Sequence, residues 1–142
     1  MEMTMSDIFG EVISAYTLTD AMADGEIHRI DNNPLHETDC KQLYKCPIYI
    51  TNSLYELHKD AACKASNGDA ELSNSILSAT IYDMLSMSIR GAKELSSSMR
   101  QFSYFLQKDE YCFADEKIET IAQAGGDDDG NLIITFMMPH ES

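Results

Sequence analysis

Residues 69–93 read DAELSNSILSATIYDMLSMSIRGAK, and the rest of the chain is organised around them. Leu72, Ile76, Thr80, Met84 and Met87 recur at helical spacing, and Leu77, Ile81, Leu85, Ile89 and Ala92 widen the stripe. An apolar arc this wide, with small Ser and Ala between, predicts a helix packed on more than one side. Asp69 suits an N-cap, and Glu71 puts negative charge in the first turn, where the helix dipole favours it. Glycine costs on the order of 1 kcal/mol against alanine inside a helix, so Gly91 places the end of this one near Arg90.

Working back from this helix, Ser66, Asn67 and Gly68 form a loop. Before it, Thr51 or Asn52 caps a helix running to about Lys64, with Leu54, Leu57, Ala61 and Ala62 inward. Residues 46–50 read as a short strand, and residues 35–45 as a polar loop holding one helical turn. Asp31, Asn32, Asn33 and Pro34 are turn chemistry, and Ile27 and Ile30 mark a short strand. Thr17 or Thr19 caps a short helix that Gly25 stops. Ile8, Phe9, Val12, Ile13 and Tyr16 share one face of another short helix.

Past Ser96, Ser97 and Ser98 the period changes from 3.6 towards 2. Residues 99–107 place Phe102, Tyr104 and Leu106 on one side of a strand and Phe105 on the other. Residues 117–124 alternate less cleanly, and residues 132–138 are a strong β run. The Gly-Asp stretch 125–130 suits a hairpin between the last two. The expected fold is α+β in a single domain, 1–142: short N-terminal helices, then the central core helix packed on a C-terminal three-stranded antiparallel sheet.

Lys and Arg number 10 against 24 Asp and Glu, a formal net charge of −14. That balance disfavours binding to a nucleic-acid backbone or an anionic membrane, because both need a basic stripe. It steers basic partners inward, and it also serves plain solubility. No apolar run approaches the ~20 residues of a membrane span. The first residues lack the basic region and apolar block of a signal peptide, so a cytoplasmic location and reduced thiols at Cys40, Cys46, Cys63 and Cys112 are expected.

DIFGEVI at residues 7–13, followed by Tyr16, Thr17, Ala21, Asp24 and Gly25, resembles the opening of a family of short uncharacterised proteins from bacteria, plasmids and phages. Asp128, Asp129 and Gly130, with the strand from Ile133 to Met138 and Pro139, resemble its closing. The resemblance covers both ends of the chain and reaches the central helices only as pattern. It implies a phage or mobile-element setting and brings no reaction, cofactor or catalytic residue.

Read from the residues, no catalytic constellation stands out. His36, Cys40, Cys46, His58 and Cys63 are zinc-ligand types, yet they lack a Cys-x2-Cys knuckle. His58 and Cys63, five apart on one helix, lie about 140° apart around it. Cys46 and Cys63 read instead as small core residues. Asp127, Asp128, Asp129 and Gly130 lack the alternation and closing glutamate of a calcium loop, so turn formation explains them. His28 near Asp31 and Asn32 allows a His-Asp pairing, but no G-x-S-x-G elbow accompanies it. Cys112 lies between Tyr111 and Phe113, where packing explains it, and no phosphate-cradling G-x-x-x-x-G-K-[ST] loop is present. No metal or other cofactor is implied.

Carboxylates are the remaining feature. One group spans Asp7, Glu11, Asp20, Asp24 and Glu26; a second Asp109, Glu110, Asp115, Glu116 and Glu119; a third Asp127, Asp128 and Asp129. Two groups brought together imitate the spaced phosphates of a duplex, whereas scattered groups are only a solvated surface. The leading expectation is a non-enzymatic protein that docks Asp20, Asp24, Asp127, Asp128 and Asp129 on a basic host protein, such as a nucleic-acid-binding defence component (a CRISPR effector or a restriction enzyme). The alternative is a pocket for a nucleotide signal lined by Tyr16, His28, Tyr82, Arg90 and Arg100. A third reading is a homodimer, which requires an exposed apolar patch.

Overall fold

The structure is a computed structural model that describes residues 17–109 and 112–141. The expected helix over Ile8 to Tyr16 lies outside the described residues. The central helix, α4 below, runs Ala70–Arg90. Asp69 caps it by accepting a hydrogen bond from the Leu72 N–H at 3.0 Å, and Gly91 is its C-cap. Ile76, Leu77, Thr80, Ile81, Met84 and Leu85 are buried, while Ile89, at 44% exposed, falls outside the stripe it was expected to join.

Ahead of α4 come α1 (Leu18–Ala23), β1 (Ile27–Arg29), α2 (Glu37–Leu43), β2 (Ile48–Thr51) and α3 (Asn52–Ala65). After it come β3 (Lys93–Ser96), β4 (Met99–Gln107), β5 (Phe113–Gly126), β6 (Leu132–Met137) and a 3-10 turn at Pro139–Glu141. The class is α+β, as the order of elements predicts. The sheet, however, has six strands rather than three and is mixed, in the order β1-β2-β6-β5-β4-β3. Two causes account for this. β2 lies parallel to β6, pairing Ile48 with Ile134 and Ile50 with Phe136, and brings β1 with it. At the other edge β3 adds to β4 through a short, charged, wholly exposed strand, the composition that protects a sheet edge from further pairing.

A second difference is α2, where a loop with one turn is expected. Glu37 and Asp39 stand in its first turn and Lys41 in its last, each at the favourable end of the dipole, and Cys40 is its one buried residue.

α3 and α4 cover one face of the sheet, meeting Phe102, Tyr104, Leu106, Ala122 and Phe136. Register parity places Tyr49 and Ile133 on the other face, where they form a second buried cluster with Leu18, Ala21 and Ile27 under α1. The C-terminal turn is tied down by Glu141, whose carboxylate accepts from the Thr51 hydroxyl and the Met138 N–H, both at 2.8 Å.

One buried polar chain crosses the helix layer. The Thr80 hydroxyl donates to the Leu77 carbonyl at 3.1 Å, so it accepts from the His58 Nδ1–H at 3.0 Å. His58 Nε2 is then free to accept from the Tyr104 O–H at 2.6 Å. His58 thus takes an inner position on α3 beside Leu54, Ala62 and Ala65, while Leu57 and Ala61, expected inside, are only half-buried.

Candidate functional site

One carboxylate folds α1 against the β5–β6 hairpin. Thr17 caps α1 by accepting from the Asp20 N–H at 3.0 Å, and Asp20 accepts from the Thr17 N–H at 3.2 Å, a reciprocal capping box. Asp128, 110 residues away from Leu18, completes this helix end. Its carboxylate accepts from the Leu18 N–H at 2.9 Å, the Thr19 N–H at 3.1 Å and the Thr19 hydroxyl at 2.5 Å. These bonds, the Thr19 hydroxyl foremost, hold the Asp128 carboxyl below its ordinary value. Asp127 shapes the hairpin: its Oδ1 accepts from the Asp129 N–H at 2.9 Å and the Asn131 N–H at 2.8 Å. Gly130, at φ 84°, supplies the left-handed residue the turn requires. Asp24 is the C-cap of α1, the unfavourable end of a helix for a carboxylate, and Gly25 follows at φ 77°.

Asp20 and Asp24 of the first acidic group therefore stand with the third group at one end of the described residues, while Asp7 and Glu11 lie outside those residues. The second does not join them. Asp115, Glu116 and Glu119 are exposed on the opposite half of β5, roughly 3.3 Å per residue along the strand from the hairpin at Gly126. Replacing Asp128 by Ala removes a helix cap and is expected to cost about 1 kcal/mol, with Asp128→Asn keeping part of it, in urea unfolding followed by circular dichroism. An unchanged midpoint in Asp128→Ala rejects the tie.

The residues expected to line a nucleotide pocket are not brought together. Tyr16 lies outside the described residues. His28 Nε2 meets Asn52 Oδ1 at 2.7 Å, and its ring lies 5.7 Å from that of Tyr55. Asp31 is not its partner; it takes Arg29 in a two-pronged ion pair at 2.9 and 3.0 Å and accepts from the Ile48 N–H. Tyr82 is exposed on α4. Arg100 borders a separate hollow of about 170 Å³ with Tyr44, Ser97 and Ser98.

Arg90 lies elsewhere, in a groove of about 380 Å³ between the last turns of α4 and the β4–β5 pair. Asp83, Met87, Phe105, Phe113 and Lys117 line it with Arg90. β3 pairs with β4 only as far as Gln101, which leaves this flank of β4 open. The Phe105 and Phe113 rings are 6.4 Å apart, and the Lys117 ammonium lies 5.7 Å from the Phe105 ring centre. Phe105 was visible as the residue facing away from its strand's apolar side. Phe113 is exposed, and so is Cys112, for which packing is the expectation.

The zinc-type residues take separate structural places. His36 and His58 are fully buried, Cys40 is buried in the main core, Cys46 packs against that core, and Cys63 is exposed rather than a core residue. Burial pushes the Cys40 thiol up to about 12, away from nucleophilic use. Among the described residues no three His, Cys, Asp or Glu side chains gather as metal ligands. Nor is any helix among them long and apolar enough to cross a membrane.

Compared with protein-family models, residues 5–142 match the family of unknown function DUF6573. The chain belongs to that family. No curated protein and no solved structure matches it. Membership in DUF6573 agrees with the resemblance to an uncharacterised family and assigns no activity.

Proposed function

We propose that this DUF6573 chain is a non-enzymatic acidic binding protein of a phage or mobile element, which docks a carboxylate face on a basic, nucleic-acid-binding host protein, with defence components as the target class. One observation carries the reading: Asp128 ties the last hairpin to α1, so Asp20 and Asp24 stand at the same end as Asp127 and Asp129. Carboxylates held at fixed spacing offer a cationic groove what a phosphate backbone offers it. Within this face Asp127 and Asp128 hold the hairpin and Asp20 completes the α1 capping box, while Asp20, Asp24 and Asp129 carry charge at exposed positions. The net charge of −14 adds long-range steering toward a basic partner.

Affinity capture from host lysate at two salt concentrations tests it. The screening length falls from about 10 Å at 0.1 M to about 3 Å at 1 M salt, so capture of the partner is expected at the first and loss at the second. The triple substitution Asp20→Asn, Asp24→Asn, Asp129→Asn should weaken capture at low salt and keep the fold, because the amide at position 20 retains an acceptor oxygen for the Thr17 N–H. Equal recovery of one partner under both conditions rejects electrostatic docking.

A further inference from the structure

We propose that the groove between α4 and the β4–β5 pair binds a mononucleotide: phosphate on Arg90 and Lys117, base against Phe105 and Phe113, and Asp83 accepting from the ribose hydroxyls. This site is separate from the acidic face and does not depend on it.

Neither cation is held in an ion pair among the described residues. The ion pairs given by the described residues engage Arg29, Lys41, Lys59 and Lys64, and neither Arg90 nor Lys117 is among them. Among the described residues of the hollow beside α2, two of the three cations are held, Arg29 by Asp31 and Lys41 by Glu37 at 2.7 Å, which leaves Lys45 alone and without an aromatic pair beside it. A guanidinium and an ammonium lining one groove offer an anion two cationic contacts in an otherwise acidic chain.

The aromatic pair sets the second half of the ligand. Phe102 and Phe136 are buried, whereas Phe113 is 57% exposed and has the Phe105 ring beside it. Exposed rings next to cations are how proteins hold single bases, since every base offers a π face. Asp83, half-buried and within the field of Arg90, supplies an acceptor at the α4 wall. Size decides between one nucleotide and a strand: about 380 Å³ is at the small end of ligand pockets, and a net charge of −14 repels a polyanion.

Isothermal titration of the full chain with AMP, GMP, CMP and UMP tests the proposal. Saturable 1:1 binding of at least one, with Kd below about 1 mM, is expected. For the nucleotide that binds, Arg90→Ala and Lys117→Ala should each weaken it about tenfold, and Phe113→Ala about fivefold or more. All three positions are solvent-facing, so the variants should keep the parent's melting curve. The matching nucleoside and inorganic phosphate should each bind at least about tenfold more weakly than the nucleotide. Asp129→Ala should change nothing, which separates this site from the acidic face. The proposal is overturned if none of the four saturates at millimolar concentration, if the Arg90→Ala, Lys117→Ala double variant binds as well as the parent, or if inorganic phosphate matches the nucleotide.

Discussion

Lowering the pH from 7 to 5 is expected to remove about 4 kcal/mol of stability, about 2 for each of two buried histidines. His36 and His58 are both fully buried. Burial pushes His36 from 6.5 down to about 4 and His58 down to about 3. The Thr80–His58–Tyr104 chain describes a neutral ring, with a proton on Nδ1 and a lone pair on Nε2. A native base held this way refuses the proton that the unfolded chain takes up below 6.5. Its stabilisation is complete above that pH and is lost as the pH falls towards 3 to 4. Asp31 works in the same direction only lower down: burial opposes its charge, but Arg29 and the Ile48 N–H outweigh that and hold the carboxyl below 3.8. Asp83 has the opposite sign, because burial raises its carboxyl against the pull of Arg90. Urea unfolding at pH 7 and pH 5 measures the drop, and His58→Gln should remove about half of it. A parent midpoint that does not move between the two pH values refutes the account.

Phe136→Ala carries the other large effect, about 3–5 kcal/mol. The ring is fully buried on β6 with the Tyr44 and Phe102 rings edge-on at 6.2 and 5.9 Å. Its neighbours across the strands are Ile50 and Ala122, and the small alanine cannot refill the space. Tyr44 is itself fixed, since the Ser88 hydroxyl donates to the Leu85 carbonyl and so accepts from the Tyr44 O–H at 2.6 Å. A cavity in the middle of the sheet therefore stays open. Thermal unfolding should show a large loss for Phe136→Ala and a change within about 0.5 kcal/mol for the exposed Phe113→Ala. Similar losses at both positions would place the core elsewhere.

What could be read from the residues divides along local and distant causes. α4 and β4 were legible because each carries a long period, and α4 has a cap at Asp69 and a stop at Gly91. β3 was not, because its four residues are all exposed and it exists through backbone bonds that β4 supplies. α2 buries one residue, Cys40, and one residue makes no period. His58 stood in a readable series with Leu54 and Ala62, but its polarity hid an inner position that only Thr80 and Tyr104 make tolerable. At the candidate sites the carboxylate runs were visible, whereas the bond from Asp128 to α1 was not, since nothing near either end announces the other. The groove escaped for the same reason: Arg90 and Lys117 line one hollow only once α4 packs on the β4–β5 pair.

The parallel ladder joining β2 to β6 has a consequence for synthesis. β6 is the last strand of the described chain to leave the ribosome, yet it sits inside the sheet between β2 and β5. Until it emerges, the β1–β2 pair and the β3–β4–β5 meander are two fragments, each with a bare flank, and the first has nothing to join. Ribosome-stalled chains ending before Leu132 should accordingly be digested by protease at the β1–β2 segment, and chains released with β6 in place should resist it.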